Sequence, residues 1–80
     1  MPRFFLQLID HVDVLLDPDG VELTPEAVPA TALKAARDCM AGDVRNGSLD
    51  LRYRIDVHDE AGMLVHSLPF AEALTILSPA

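Results

Sequence analysis

The side chains best suited to chemistry lie early in the chain. Asp10, Asp13, Asp17, Asp19 and Glu22 form an acidic cluster. Hard cations such as Ca²⁺ need several carboxylate oxygens on one tight loop. Asp17, Asp19, Gly20 and Glu26 coincide with the third, fifth, sixth and twelfth positions of an EF-hand loop. Leu15 and Pro18 then fall at the first and fourth positions, and no helix leads in, so the cluster reads as a solvated turn. His11, His58 and His66 lack the paired spacing of zinc ligands, and no metal or cofactor is expected. Ser48, Ser67 and Ser78 lack a G-x-S-x-G elbow, and no phosphate-binding glycine loop is present. Cys39 falls on the apolar side of a helix, where a thiol is usually inert. The chain is expected not to be an enzyme.

The cations are the second candidate. Arg45, Arg52 and Arg54 lie near Tyr53, and sheets can stack bases on aromatic rings. Tyr53, however, alternates with the core while the arginines point the other way. The net charge of -7 and the pI near 4.5 also repel phosphate. Nucleic acid is therefore not the expected partner. The charge is divided along the chain: −5 over residues 1–30, +2 over 31–54 and −4 over 55–80. Such blocks suit intramolecular pairing or a binding surface.

Alternating apolar residues predict the strands. Phe4, Leu6 and Leu8 form the inward row of the first. Residues 12–23 read as a second, antiparallel strand interrupted at Asp17-Pro18-Asp19-Gly20, which has strong turn chemistry. Thr24-Pro25-Glu26 supplies a capping hydroxyl, a first-turn proline and an acid, while Pro29 pushes Val28 from the α region and delays the regular helix. Ala32, Ala35, Ala36, Cys39 and Met40 form the buried helix face, with Leu33 and Val44 at its rim. Asn46-Gly47 is preferred to Gly42 as the stop. A hairpin follows. Tyr53, Ile55 and Val57, then Leu64, His66 and Leu68, face inward across an Asp59-Glu60-Ala61-Gly62 turn. His66 thus reads as a partly buried, hydrogen-bonded histidine at the sheet margin. Phe70, Ala73, Leu74 and Leu77 predict a short closing helix, and Ser78 to Ala80 should fray. The fold class is α+β: one domain over residues 1–80, an antiparallel sheet of about four strands on one main helix, order ββαββ, with a short C-terminal helix.

Size then directs attention to a partner. A domain of 80 residues has about 3–5 kcal/mol of net stability without help, and the lone Cys39 excludes an intrachain disulfide. A second subunit is the best remaining source. The sheet face away from the helix carries Phe5, Ile9, Met63 and Val65, interspersed with Arg52 and Arg54, which suits a contact surface. The leading expectation is a non-enzymatic protein-interaction module forming a homodimer through this face or through an uncovered strand edge. The closing helix covering part of the face is the alternative. A small cation- or ligand-binding protein using the acidic loop is the second functional expectation, and a regulator bound to a larger basic partner the third. Gln7 and Asp10 interrupt the only run resembling a signal peptide, and no stretch reaches the roughly eighteen apolar residues of a membrane span, so a cytoplasmic location is expected.

The order of these elements resembles a group of short bacterial proteins, the DUF6894 domain of unknown function. Met-Pro-Arg-Phe-Phe opens the chain as in that family. Asp17 and Gly20 precede Val21-Glu22-Leu23, and an alanine-rich helix follows over Ala32 to Ala41. Arg54-Ile55-Asp56-Val57-His58-Asp59-Glu60-Ala61-Gly62 and Leu68-Pro69-Phe70 complete the pattern. Pro29 and His66 depart from it. The resemblance implies the α+β fold and a bacterial cytoplasmic setting, and it carries over no catalytic residue.

Overall fold

The computed structural model describes residues 1–79. Strand β1 (Arg3–Ile9) buries Phe4 and Leu6 on one face, as a two-residue repeat requires. Strands β2 (Asp13–Leu15) and β3 (Val21–Glu22) lie end to end along one side of β1, both antiparallel to it. They are the two halves of the interrupted strand. Between them Gly20 takes φ +76°, and its amide donates to the Asp17 carbonyl at 3.0 Å.

Helix α1 (Val28–Arg45) is preceded by a 3₁₀ turn over Pro25–Ala27. Two expectations are corrected here. The Thr24 hydroxyl makes no cap; instead the Thr24 carbonyl accepts the Ala27 amide at 3.0 Å. Val28 is fully α-helical despite preceding Pro29. The 3₁₀ turn delivers the chain already in helical conformation, and Pro29 sits where no intrahelical donor is needed. Val28, Ala32, Ala36 and Met40, spaced by four, form the buried stripe, with Leu33, Ala35 and Cys39 beside it. Val44 is exposed rather than at the rim. The helix ends at Asn46-Gly47. Gly47 has φ +94° and donates to the Val44 carbonyl, while Ser48 donates to Asp43, a Schellman motif.

Strands β4 (Arg54–Asp59) and β5 (Leu64–Pro69) form the hairpin, and the sheet runs β2-β1-β4-β5 with β3 also on β1. Ile55 and Val57 are fully buried. Strand β5 departs from simple alternation. Val57 pairs with His66 but His58 pairs with Leu64, so Val65 is an extra residue in a bulge. The shift reverses parity. Leu64 faces outward with His58, not inward with His66 and Leu68. Met63 falls opposite Asp59, whose own partner across β1 is the core residue Phe4. Tyr53 and Arg52 precede the strand. Asp50 accepts the Arg52 amide at 2.9 Å and so turns the chain before β4.

Helix α2 (Phe70–Ala73) is shorter than its spacing predicts. Leu74 is extended, and Leu77 is exposed rather than packed. Thr75 and Ile76 are β-branched, and so short a helix has little cooperative reserve. α2 lies on the α1 side of the sheet. Phe70 and Ala73 are buried, and Arg37 Nε donates to the Ala73 carbonyl at 2.9 Å. It therefore leaves the opposite sheet face open. Ser78 and Pro79 carry no regular structure, and Ala80 lies outside the described residues.

Candidate functional site

The open face is less apolar than alternation alone suggests. Its central row holds Gln7, Asp56 and Ser67, paired across β1, β4 and β5. Asp56 is the buried charge of the fold. It accepts the Ser67 hydroxyl at 2.6 Å and Arg54 Nε at 3.1 Å. Phe5 and Ile9 lie on the same face, in β1. Phe5 is partly covered by the Asp17–Gly20 turn: a Cβ on Gly20 would stand 2.8 Å from its ring. Of the other predicted members, Arg52 lies in the loop before β4, and the bulge moves Met63 and Val65 out of the face's register. Leu64 enters in their place. The fold thus brings Phe5, Ile9 and Arg54 together and separates Arg52, Met63 and Val65 from them.

Asp10, Asp17 and Glu22 of the acidic cluster are bonded within their own chain. Arg3 Nη2 pairs with Glu22 at 2.8 Å, and Arg3 Nη1 donates to the Asp19 carbonyl at 2.6 Å. Asp17 accepts the Asp19 amide and Asp10 the Val12 amide, the local bonds typical of turns. Among the described residues no group of three or more His, Cys, Asp or Glu side chains is placed to hold a metal ion. The basic block is committed in the same way. Arg52 pairs with Asp50 at 2.7 Å, Arg54 with Asp56, and Lys34 with Asp38 at 2.7 Å. Arg45 is the one cation without a side-chain hydrogen bond or ion pair among the described residues, and it sits in the last turn of α1, where the helix dipole favours it.

The Arg52 hydrogen bonds, from guanidinium and amide, lower the Asp50 pKa to about 2. A lowered folded pKa stabilises the fold above the unfolded pKa, and that contribution disappears as pH falls from about 4 through about 2. Arg52→Gln should return the Asp50 midpoint toward the ordinary carboxylate range in an NMR titration. A midpoint unchanged by the substitution would contradict the pairing.

The candidate nucleophiles are poorly placed. Burial first, then Asp43 and Asp38, raise the Cys39 pKa, which disfavours the thiolate. Ser67 donates to a carboxylate rather than to an imidazole.

A concavity lies where, of the predicted site residues, only Val65 falls. A cleft of about 570 Å³ opens between the start of α1 and the sheet. Pro25, Val28 and Pro29 form one wall, Phe4 the floor, and Val65 and His66 the other wall. The prolines were read only as helix punctuation, although two at one helix start also build an apolar wall. The acids at its rim are engaged: Glu60 accepts the Arg3 amide at 2.9 Å, and Asp59 caps the hairpin turn through Ala61 and Met63. His66 is half-buried in the cleft and makes no side-chain hydrogen bond among the described residues, contrary to the bonded histidine expected.

No described helix is long and apolar enough to cross a membrane. No curated protein and no solved structure matches the chain. A family model described as a domain of unknown function, DUF6894, matches residues 3–71, a span from the first strand into α2. The chain, with its antiparallel sheet, covering helix and hairpin inside that span, belongs to the DUF6894 family.

Proposed function

We propose that the protein is a non-enzymatic interaction module that works as a homodimer, joined through the free edge of the sheet at β5. The observation that carries this reading is an excess of surface. The chain exposes 5347 Å². A compact monomer of its 8.7 kDa exposes about 4,700 Å². The difference, about 600 Å², approaches the roughly 800 Å² that each partner contributes to a standard interface. The radius of gyration, 13.3 Å, likewise exceeds the about 12 Å of a compact chain of this length.

The composition of the edge supports β5 as the joining strand. Free edges are normally guarded by charges, lysine above all. From Ala61 to Ala71 there is no Lys, Arg, Asp or Glu, in a chain that is 24% charged. Leu64 and Val65 at the start of the edge are 55% and 46% exposed. A two-fold axis pairs β5 antiparallel with its own copy. The straight run between the bulge and Pro69 centres the pairing near Ser67. Arg54 lies one strand in from the joint, opposite Pro69, and Phe5 and Ile9 lie a further strand away on β1. The pairing of Arg52 and Arg54 and the net charge of -7 argue against a phosphate backbone as partner. The setting proposed is a bacterial cytoplasm, where the unpaired Cys39 stays reduced.

Light scattering from low to high micromolar concentration tests the reading. The mass should double for the wild type, and Leu64→Lys should weaken association at least tenfold while leaving the thermal midpoint of the dilute protein unchanged. A mass of 8.7 kDa throughout would sink the proposal.

A further inference from the structure

Two unmatched apolar features remain after the fold is accounted for. One is the cleft walled by Pro25, Val28 and Pro29. The other is the segment after α2. Leu74 packs against the core, but Ile76 is 60% exposed and Leu77 85%. Leu74 is extended, residues 75–79 carry no regular structure, and residues 73–79 carry no charge. It also lies beyond residues 3–71, the span matched by the family model.

We infer that residues 74–79 of one copy seat in the Pro25–Val28–Pro29 cleft of its partner, and that the exchange is reciprocal. The inference rests on the homodimer reading and names the contact that completes it. Symmetry supplies the proximity. In an antiparallel β5 pair centred near Ser67, the partner's Pro69 and Phe70 lie opposite Val65 and Leu64 of the first copy. Val65 and His66 are cleft walls, so the partner's segment emerges beside the cleft it is to fill. Six residues reach about 20 Å when extended.

Chemistry supplies the match. The cleft is mostly apolar; of its charged lining residues, Arg3 is bonded to Asp19 and Glu22, and Asp59 and Glu60 accept backbone amides. An acidic insert would be repelled by the Asp59 and Glu60 carboxylates, whereas an uncharged one meets no such cost. Ile76 and Leu77 provide two apolar side chains. His66, free of any side-chain hydrogen bond among the described residues, provides a group for the backbone of an extended segment.

The test uses the full chain and its Ile76→Glu/Leu77→Glu double variant, whose altered side chains are exposed within one copy. Sedimentation equilibrium should show self-association weakened about a hundredfold, with the far-UV spectrum and dilute thermal midpoint unchanged. In NMR spectra, the His66 ring signals of the wild type should shift with concentration, and a peptide of residues 73–79 should shift them in the double variant. A double variant that dimerises as tightly as the wild type overturns the exchange and leaves the homodimer standing. A wild type monomeric at high micromolar concentration overturns both. A monomeric wild type whose His66 signals already differ from the double variant's shows the segment seated in its own cleft, and overturns exchange between copies.

Discussion

Phe70→Ala should abolish the cooperative unfolding transition. Phe70 is fully buried, and its ring meets Tyr53 edge-on at 6.0 Å between centroids. Its amide donates to the Tyr53 carbonyl at 2.9 Å, which ties the end of β5 to the start of β4. Removing such a ring costs about 3–5 kcal/mol, from lost transfer energy and from the cavity left behind. A single core of this size has about 3–5 kcal/mol in total. The two magnitudes are equal, so the variant should be unfolded or nearly so. Urea titration followed by circular dichroism reads this directly. Phe70→Leu keeps most of the volume and should retain a transition at lower urea. A Phe70→Ala chain melting like the wild type would show that α2 does not close the core.

Gly20→Ala should destabilise by about 2–4 kcal/mol, the second-largest single effect expected, from backbone strain together with overpacking. Gly20 has φ +76°, which an L-residue adopts at a cost. Its added Cβ would also stand 2.8 Å from both Arg3 Cγ and the Phe5 ring. Displacing the Arg3 stem pulls on its bonds to Asp19 and Glu22, which hold β3 against β1. Urea denaturation measures the loss. Amide exchange localises it, with faster exchange expected first in residues 13–23. A variant within experimental error of the wild type would mean that the turn can move away from Phe5 freely.

The parts of the fold legible in the sequence are those where one local rule governs. Phe4 and Leu6, then Ile55 and Val57, alternate into the core because β1 and β4 are regular and central. Asn46-Gly47 marks the helix stop because the Schellman geometry needs a left-handed residue just there. Strand β5 was not legible beyond His66 and Leu68. A single extra residue reverses parity, and Val65 has no composition that announces a bulge. That one residue displaced Met63 and Val65 from the face assigned to them. Arg52 was displaced differently: Asp50 turns the backbone through a local hydrogen bond before β4 begins. The closing helix was overread because Phe70, Ala73, Leu74 and Leu77 keep helical spacing while Leu74 itself is extended. The cleft was invisible because its two walls are forty residues apart, and spacing along the chain carries no trace of their meeting.

The uneven charge takes on a structural sense in the same way. Three of the five basic residues of the middle block, Lys34, Arg52 and Arg54, pair with acids two or four residues away. The acids near the start serve turns and Arg3. Three largely apolar features stand beside these pairs: the start of the β5 edge, the cleft beside it and the segment after α2. An association built on these should depend little on salt, because screening acts on charges and not on apolar burial.

Sedimentation equilibrium of the wild-type chain, at low and at high salt over micromolar concentrations, tests the central claim most directly. The predicted result is a reversible monomer–dimer equilibrium whose dissociation constant is unchanged or slightly tightened by salt. A single species of 8.7 kDa at every concentration and in both buffers would contradict it.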